Sequence, residues 1–115
     1  MPRYVILEHD HPHLHWDFML EDEGILKTWR LSACPTPEPC SIAAEPIGDH
    51  RLAYLDYEGP VGGGRGAVRR WDAGDYDLER VDPLRLHLRG VRWSGVVEEK
   101  GDILLFHPGA PATQP

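Results

Sequence analysis

The 115-residue sequence contains no run of 18 apolar residues, which excludes a transmembrane helix as a reading of any segment. Its first residues, Met1-Pro2-Arg3-Tyr4-Val5, carry no apolar signal-peptide core. A cytoplasmic location is the default expectation. Cysteine is scarce: Cys34 and Cys40 lie six positions apart in a proline-rich stretch. That spacing is not C-x-x-C, and two cysteines in a reducing compartment are expected to stay free thiols. Positive charge is also scarce. Twelve Lys and Arg face 19 Asp and Glu, a formal net charge of −7. Proteins that coat nucleic acid draw most of their non-specific affinity from cations, so coating of long duplex DNA is not expected. A local basic patch gripping one nucleic-acid end remains compatible with the composition. Helical periodicity is missing as well, since no ten-residue segment shows a clean apolar stripe at helical spacing.

What is present reads as short strands. Turn signals recur every eight to twelve residues, at Glu23-Gly24, Pro35 to Pro39, Gly48-Asp49, Gly59 to Gly66, Gly74-Asp75, Asp82-Pro83, Gly90 and Gly101-Asp102. This spacing suggests an all-β sandwich or barrel. Strands are expected at Tyr4 to Leu7, around Leu14 to Leu20, and at Ile25 to Leu31, Ile42 to Ile47, Ala67 to Trp71, Leu84 to Leu88, Val91 to Val97 and Ile103 to Phe106. At 41% hydrophobic and 27% charged, the balance is that of one ordinary globular domain. The domain is assigned to residues 1–108, with residues 109–115, rich in Pro and Ala, as a disordered tail.

The second strand alternates in an informative way. Leu14, Trp16, Phe18 and Leu20 are apolar, whereas His13, His15, Asp17 and Met19 lie between them. Side chains two apart share a face of a strand, so His15 and Asp17 point together, away from the aromatic pair. A solvated face would ordinarily carry Lys and Glu. Imidazoles and a carboxylate suggest instead a small closed or nearly closed β-barrel, with little helix and a polar interior site.

Four of the seven histidines fall within His9-Asp10-His11-Pro12-His13-Leu14-His15. Imidazole suits borderline divalent ions, and two imidazoles with a carboxylate suit Mn²⁺, Zn²⁺ or Fe²⁺ better than Mg²⁺ or Ca²⁺. His15 and Asp17 could bind on one face, with His9, at the end of the first strand, as the third ligand. The residues alone leave open a solvated loop or non-specific metal capture. His11 and His13 are weaker candidates, and Asp10 either begins the loop or braces a ligating imidazole.

The run Glu8-His9, five residues, then His15-Trp16-Asp17-Phe18-Met19-Leu20-Glu21 resembles the opening signature of the 3′-phosphoesterase domain of bacterial DNA ligase D, E-H then H-[YW]-D-F-R-L-E. Gly24-Ile25-Leu26-Lys27-Thr28-Trp29 is similar to that family's G-x-L-K-S-W. Asp49-His50, Tyr54, and Asp56-Tyr57-Glu58-Gly59 are similar to its D-H-x-x-x-Y-x-D-F-E-G. Gly62-Gly63-Gly64-Arg65-Gly66 and Trp71-Asp72-Ala73-Gly74 follow its Gly-rich turn and W-D-x-G. The resemblance covers roughly residues 4 to 106.

It implies a β-barrel that uses Mn²⁺, with Zn²⁺ or another divalent transition metal as alternatives, to remove 3′-phosphates or 3′-ribonucleotides during DNA end repair. His9, His15 and Asp17 would be metal ligands. His50 would sit beside the transferring phosphate, with Tyr54 as a nearby contact. The implied partner is a DNA 3′ end or primer-template, with a separate DNA ligase or end-joining protein as a further partner, and no membrane. Where the family carries phosphate-binding cations, this chain has Met19, Ala33 and Ile42. Arg30, beside Trp29, and Arg65, in the Gly-rich turn, are the replacements expected to bind phosphate. Loss of fixed cations slows phosphoryl transfer, which rests on positioning and charge stabilisation. The expected function is therefore a weak 3′-end phosphoesterase. The alternative is a non-catalytic, metal-binding accessory module that holds a DNA end or a repair partner.

Overall fold

A computed structural model of the chain describes residues 2–109. Nine strands follow one another: β1 (Arg3–His9), β2 (His15–Asp22), β3 (Ile25–Leu31), β4 (Cys40–His50), β5 (Gly59–Pro60), β6 (Ala67–Val81), β7 (Leu84–Gly90), β8 (Ser94–Lys100) and β9 (Ile103–Pro108). A four-residue 3-10 turn, Leu52–Leu55, is the only helical element among the described residues. No helix there is long and apolar enough to cross a membrane. The strands pair in the order β1-β2-β3-β4-β9-β8-β7-β6-β5, and β1 also pairs with β6. Eight strands thus form a nearly closed antiparallel ring, and β5 is a short appendage on β6. Of the tail assigned from residue 109, residues 110–115 lie outside the described residues, and the Gly109 amide donates to the Ser94 carbonyl at 3.0 Å.

The all-β ring is as expected, but its interior is apolar. Every ring strand contributes to one buried cluster, including Tyr4, Ile6, Phe18, Trp29, Leu31, Leu86, Val97 and Phe106. Phe18 lies 6.1 Å from Phe106 between ring centroids, and Trp93 lies 5.4 Å from it, edge to face. The opposite faces of β1, β2, β3 and β6 carry a second cluster: Val5, Leu7, Met19, Leu26 and Val68, closed over by Leu55 of the 3-10 turn. His15 and Asp17 share Met19's face by strand alternation. The candidate site therefore sits on the outer wall of the ring, not in its interior as the sequence suggested. The 3-10 turn and the Gly-rich loop supply the cover that a polar interior was invoked to explain.

The longest strand, β6, runs through a glycine read from sequence as a turn. Gly74 lies opposite Tyr4 on β1 and Gly90 on β7. A Cβ at Gly74 would come within 1.9 Å of the Arg89 carbonyl oxygen. Glycine is needed there for close approach of two backbones, not for chain reversal. Beside it, Asp72 is 2% exposed and accepts hydrogen bonds from the Tyr4 hydroxyl at 2.9 Å and the amides of Arg92 at 2.8 Å, Trp93 at 3.0 Å and Ala73 at 2.9 Å. One carboxylate thereby joins β1, β6 and the β7–β8 connection. Burial, reinforced by Asp72, pushes the Tyr4 hydroxyl far above the ordinary tyrosine range, so it remains a donor.

Candidate metal centre

The β1–β2 register sets His9 directly opposite His15 and Leu7 opposite Asp17. The two imidazoles are 4.8 Å apart between centroids. His9 Nδ1 lies 3.3 Å from Asp17 Oδ2, and His15 Nε2 lies 3.1 Å from Asp17 Oδ1. His15 and Asp17 are 5% and 3% exposed. One ligand atom from each residue falls within 4.8 Å of the other two.

Backbone carbonyls fix the tautomers. His15 Nδ1 meets the His13 carbonyl at 2.9 Å, and His9 Nε2 meets the Arg65 carbonyl at 2.8 Å. A carbonyl only accepts, so each of those nitrogens carries the proton. In the neutral imidazoles the remaining nitrogens, His9 Nδ1 and His15 Nε2, are bare lone pairs. Both face a carboxylate, which is also only an acceptor. Consistently, His15 Nε2 and Asp17 Oδ1 are buried without a hydrogen-bond partner. Buried acceptors aimed at one another are costly unless a cation lies among them. Two nitrogens and a carboxylate oxygen fit Mn²⁺, Zn²⁺ or Fe²⁺, and carbonyl bonds to the far nitrogens are the usual bracing of ligating imidazoles.

His9 and Asp17 open onto a cavity of about 120 Å³ shared with Met19, His50, Tyr54 and Arg65. His50 ends β4, and its Nδ1 reaches the Gly48 carbonyl at 2.9 Å and Thr28 Oγ1 at 3.0 Å. The Thr28 hydroxyl itself donates to the Leu26 carbonyl at 3.0 Å, so its oxygen receives the His50 Nδ1–H. This leaves Nε2 as the nitrogen without a partner among the described residues. Tyr54 stacks edge to face on His50 at 5.7 Å. Arg65 Nε donates to the Gly62 carbonyl at 2.7 Å.

The structure brings His9, His15, Asp17, His50, Tyr54 and Arg65 together. Arg30 is on the same face, opposite Asp17, but lines a separate cavity of about 430 Å³ beside His15 and Glu45. His11 and His13 are exposed and stand outside the triad. Asp10 accepts the Ala67 amide at 2.9 Å. It anchors the start of β6 and, among the described residues, makes no hydrogen bond to either ligating ring. Ile42 is 4% exposed inside the ring, so that position cannot present a phosphate-binding side chain to the site.

Thr28 is the residue that the sequence reading passed over. Alternation on β3 places it on the face of Met19, its cross-strand partner, which is the signal that would have found it. Thr28→Val is expected to free the His50 ring at a cost of about 1 kcal/mol in stability, the scale of one hydrogen bond. Urea unfolding checks this, and an unchanged stability would mean that Thr28 does not hold the ring.

Ring, triad and histidine-lined cavity define a small β-domain with a candidate metal centre on its outer wall. The sequence pattern of the DNA ligase D 3′-phosphoesterase domain matches residues 7–100, and the chain belongs to that family. It is 34% identical over 120 residues to the multifunctional non-homologous end joining DNA repair protein LigD of Mycobacterium tuberculosis, covering 90% of this chain and 15% of that protein. Similarity to the multifunctional non-homologous end joining protein LigD of Pseudomonas aeruginosa reaches 40% identity over 76 residues, 63% of this chain and 9% of that protein. The chain thus spans at most 15% of the length of these relatives.

Proposed function

We propose that this protein hydrolyses phosphoesters at DNA 3′ ends, removing a terminal 3′-phosphate or 3′-ribonucleotide with a bound divalent transition metal, Mn²⁺ foremost. The observation that carries the reading is the convergence of three lone-pair donors, His15 and Asp17 buried and His9 half-buried, two of them lining the cavity that also holds His50 and Arg65. Family membership and the relatives' end-joining names support DNA ends as the substrate. His9 Nδ1, His15 Nε2 and Asp17 would hold the ion, which supplies Lewis-acid polarisation of a phosphoryl oxygen. Arg65 would pair with phosphate oxygens as charge develops. A water oxygen bonds to phosphorus while the bond to the DNA 3′ oxygen breaks. His50, protonated at Nε2, gives that oxygen its proton, and the products are a 3′-hydroxyl and inorganic phosphate. Tyr54 would keep the His50 ring in place and offer its hydroxyl to the phosphate.

A labelled primer-template ending in a 3′-phosphate, incubated with Mn²⁺, tests this directly. Conversion to the 3′-hydroxyl is the expected result, with His50→Ala reducing it about 100-fold at unchanged metal binding. No conversion at any Mn²⁺ concentration would sink the enzymatic reading.

A specific observation favours the second reading, a metal-binding module without turnover that serves a separate ligase or end-joining protein. Met19, 1% exposed, gives the cavity an apolar wall where the family has arginine. Met19→Arg discriminates the two. In an enzyme limited by this lost cation, the rate should rise on the order of 10- to 100-fold, the worth of one charge-assisted contact. No gain in a variant that folds and binds metal favours the non-catalytic module.

A further inference from the structure

In a chain this acidic, the location of unpaired cations carries information. Arg3, Arg69, Arg70, Arg80, Arg85 and Arg89 are each within 4.0 Å of a carboxylate, and Arg92 lies over Trp71 at 4.5 Å. Arg30, Arg51 and Arg65 have no ion-pair partner among the described residues, and each lines a cavity beside the triad or adjoining its pocket. The proposed chemistry uses Arg65 alone; of the other two, only Arg51 lines a cavity that shares residues with the triad's pocket. It follows His50 in sequence and lines a cavity of about 260 Å³ that shares Tyr54 and Val61 with the triad's pocket. The two cavities therefore adjoin.

Tyr57 forms the other wall of this second cavity and is 37% exposed. Its hydroxyl donates to the Pro60 carbonyl, which holds the ring in one orientation. Its ring meets Tyr54 edge to face at 5.9 Å, and Tyr54 in turn meets His50 at 5.7 Å. Aromatic rings thus lead in two steps from the candidate acid to an exposed platform. Among the described residues no carboxylate lies within ion-pair distance of Arg51, and Asp56 is engaged by Arg3 and Arg70. A fixed, exposed ring beside a free guanidinium is the pairing that single-stranded nucleic acid uses, with bases on aromatic faces and phosphates on cations.

We propose that Arg51 and Tyr57 hold the terminal nucleotide of the DNA 3′ end. Its base stacks on Tyr57, its 5′-phosphate pairs with Arg51, and its 3′-phosphate reaches the triad's pocket. The identity of that last phosphate rests on the phosphoesterase reading above. The outer face of a terminal base is open whether or not the base is paired, so the platform suits the end of a primer-template as well as a single strand.

Competition against a labelled, 3′-phosphorylated single strand, with the divalent ion chelated so that nothing turns over, tests the subsite. Thymidine 3′,5′-bisphosphate should compete about tenfold better than thymidine 3′-monophosphate, and Arg51→Ala should erase that difference. Tyr57→Ala should weaken both about tenfold, a typical worth of one stacked base. Tyr57→Phe, which loses the Pro60 bond but keeps the ring, should bind as the native protein does. Equal binding of the two nucleotides, or a Phe variant as weak as the Ala variant, would overturn the subsite. Turnover of the same strand with Mn²⁺ is scored separately. Turnover without the nucleotide preference rejects only the subsite, and the preference without turnover rejects only the catalytic reading.

Discussion

Asp17→Asn is expected to weaken Mn²⁺ binding by at least about 100-fold and, at about pH 8.5 with chelator present, to leave the protein as stable as before or more so. The first effect follows from removing a ligand that also carries the charge of the site; altering even the outer partners of ligating residues costs 10- to 100-fold in metal affinity. The second follows from the lone-pair geometry. In the neutral rings, His9 Nδ1 and His15 Nε2 are acceptors facing an acceptor, at 3.3 and 3.1 Å. An asparagine amide nitrogen can donate to one of them, which converts a mutual repulsion into a hydrogen bond worth about 1 kcal/mol. Calorimetric titration with Mn²⁺ and thermal melts in chelator read the two effects on one preparation. A variant that keeps the metal, or melts far below the native protein under chelation, would mean that Asp17 is a structural acceptor and not a ligand. His15→Ala gives the companion result, with metal binding lost.

Asp72→Ala should have the largest effect on stability, about 3–5 kcal/mol. The side chain is buried and accepts four hydrogen bonds, three from amides and one from Tyr4. Truncation leaves these donors without partners, and each buried unsatisfied group costs about 1–3 kcal/mol. The donors come from β1, β6 and the segment before β8, so the loss falls on the seam where the ring closes. Tyr4→Phe removes only one donor together with its partner bond and should cost about 1 kcal/mol. Urea unfolding measures both. If Asp72→Ala cost no more than Tyr4→Phe, the carboxylate would not be holding the seam.

The strands with alternating side chains were legible in the sequence. Ile25 to Leu31 coincides with β3 in full, and the second, fourth, seventh and ninth strands differ from expectation only at their ends. Alternation also separated His15 and Asp17 from Trp16 and Phe18; His9 joined them through its place at the end of the first strand and through the family pattern. It could not say which face of the strand is inside, because that depends on what covers the other face. The cover here is the turn Leu52–Leu55 and the loop before β6, neither of which carries a strand's pattern. Gly74 was misread because a glycine demanded by close packing looks like a glycine demanded by a turn. Ile42 was matched to a family cation by sequence pattern alone, which carries no information on the face it takes in this strand. The β3–β4 ladder shifts register between Leu26 and Thr28, and such an irregularity reverses the faces beyond it. Thr28 escaped notice because a threonine does not announce chemistry by itself, and Arg51 because nothing in the sequence separates it from arginines that are ion-paired on the surface.

On β1 and β2, the residues that close the ring and those that build the site alternate one by one along the same backbone. Phe18 looks inward among aromatics, and Met19 looks outward toward His50 and Arg65. Tyr4, Ile6 and Phe18 pack in one buried cluster while Val5, Leu7 and Met19 pack in another, so each of these two strands is clamped from both sides. A substitution at an outward position therefore tests the layer beneath the site, and one at an inward position tests the ring.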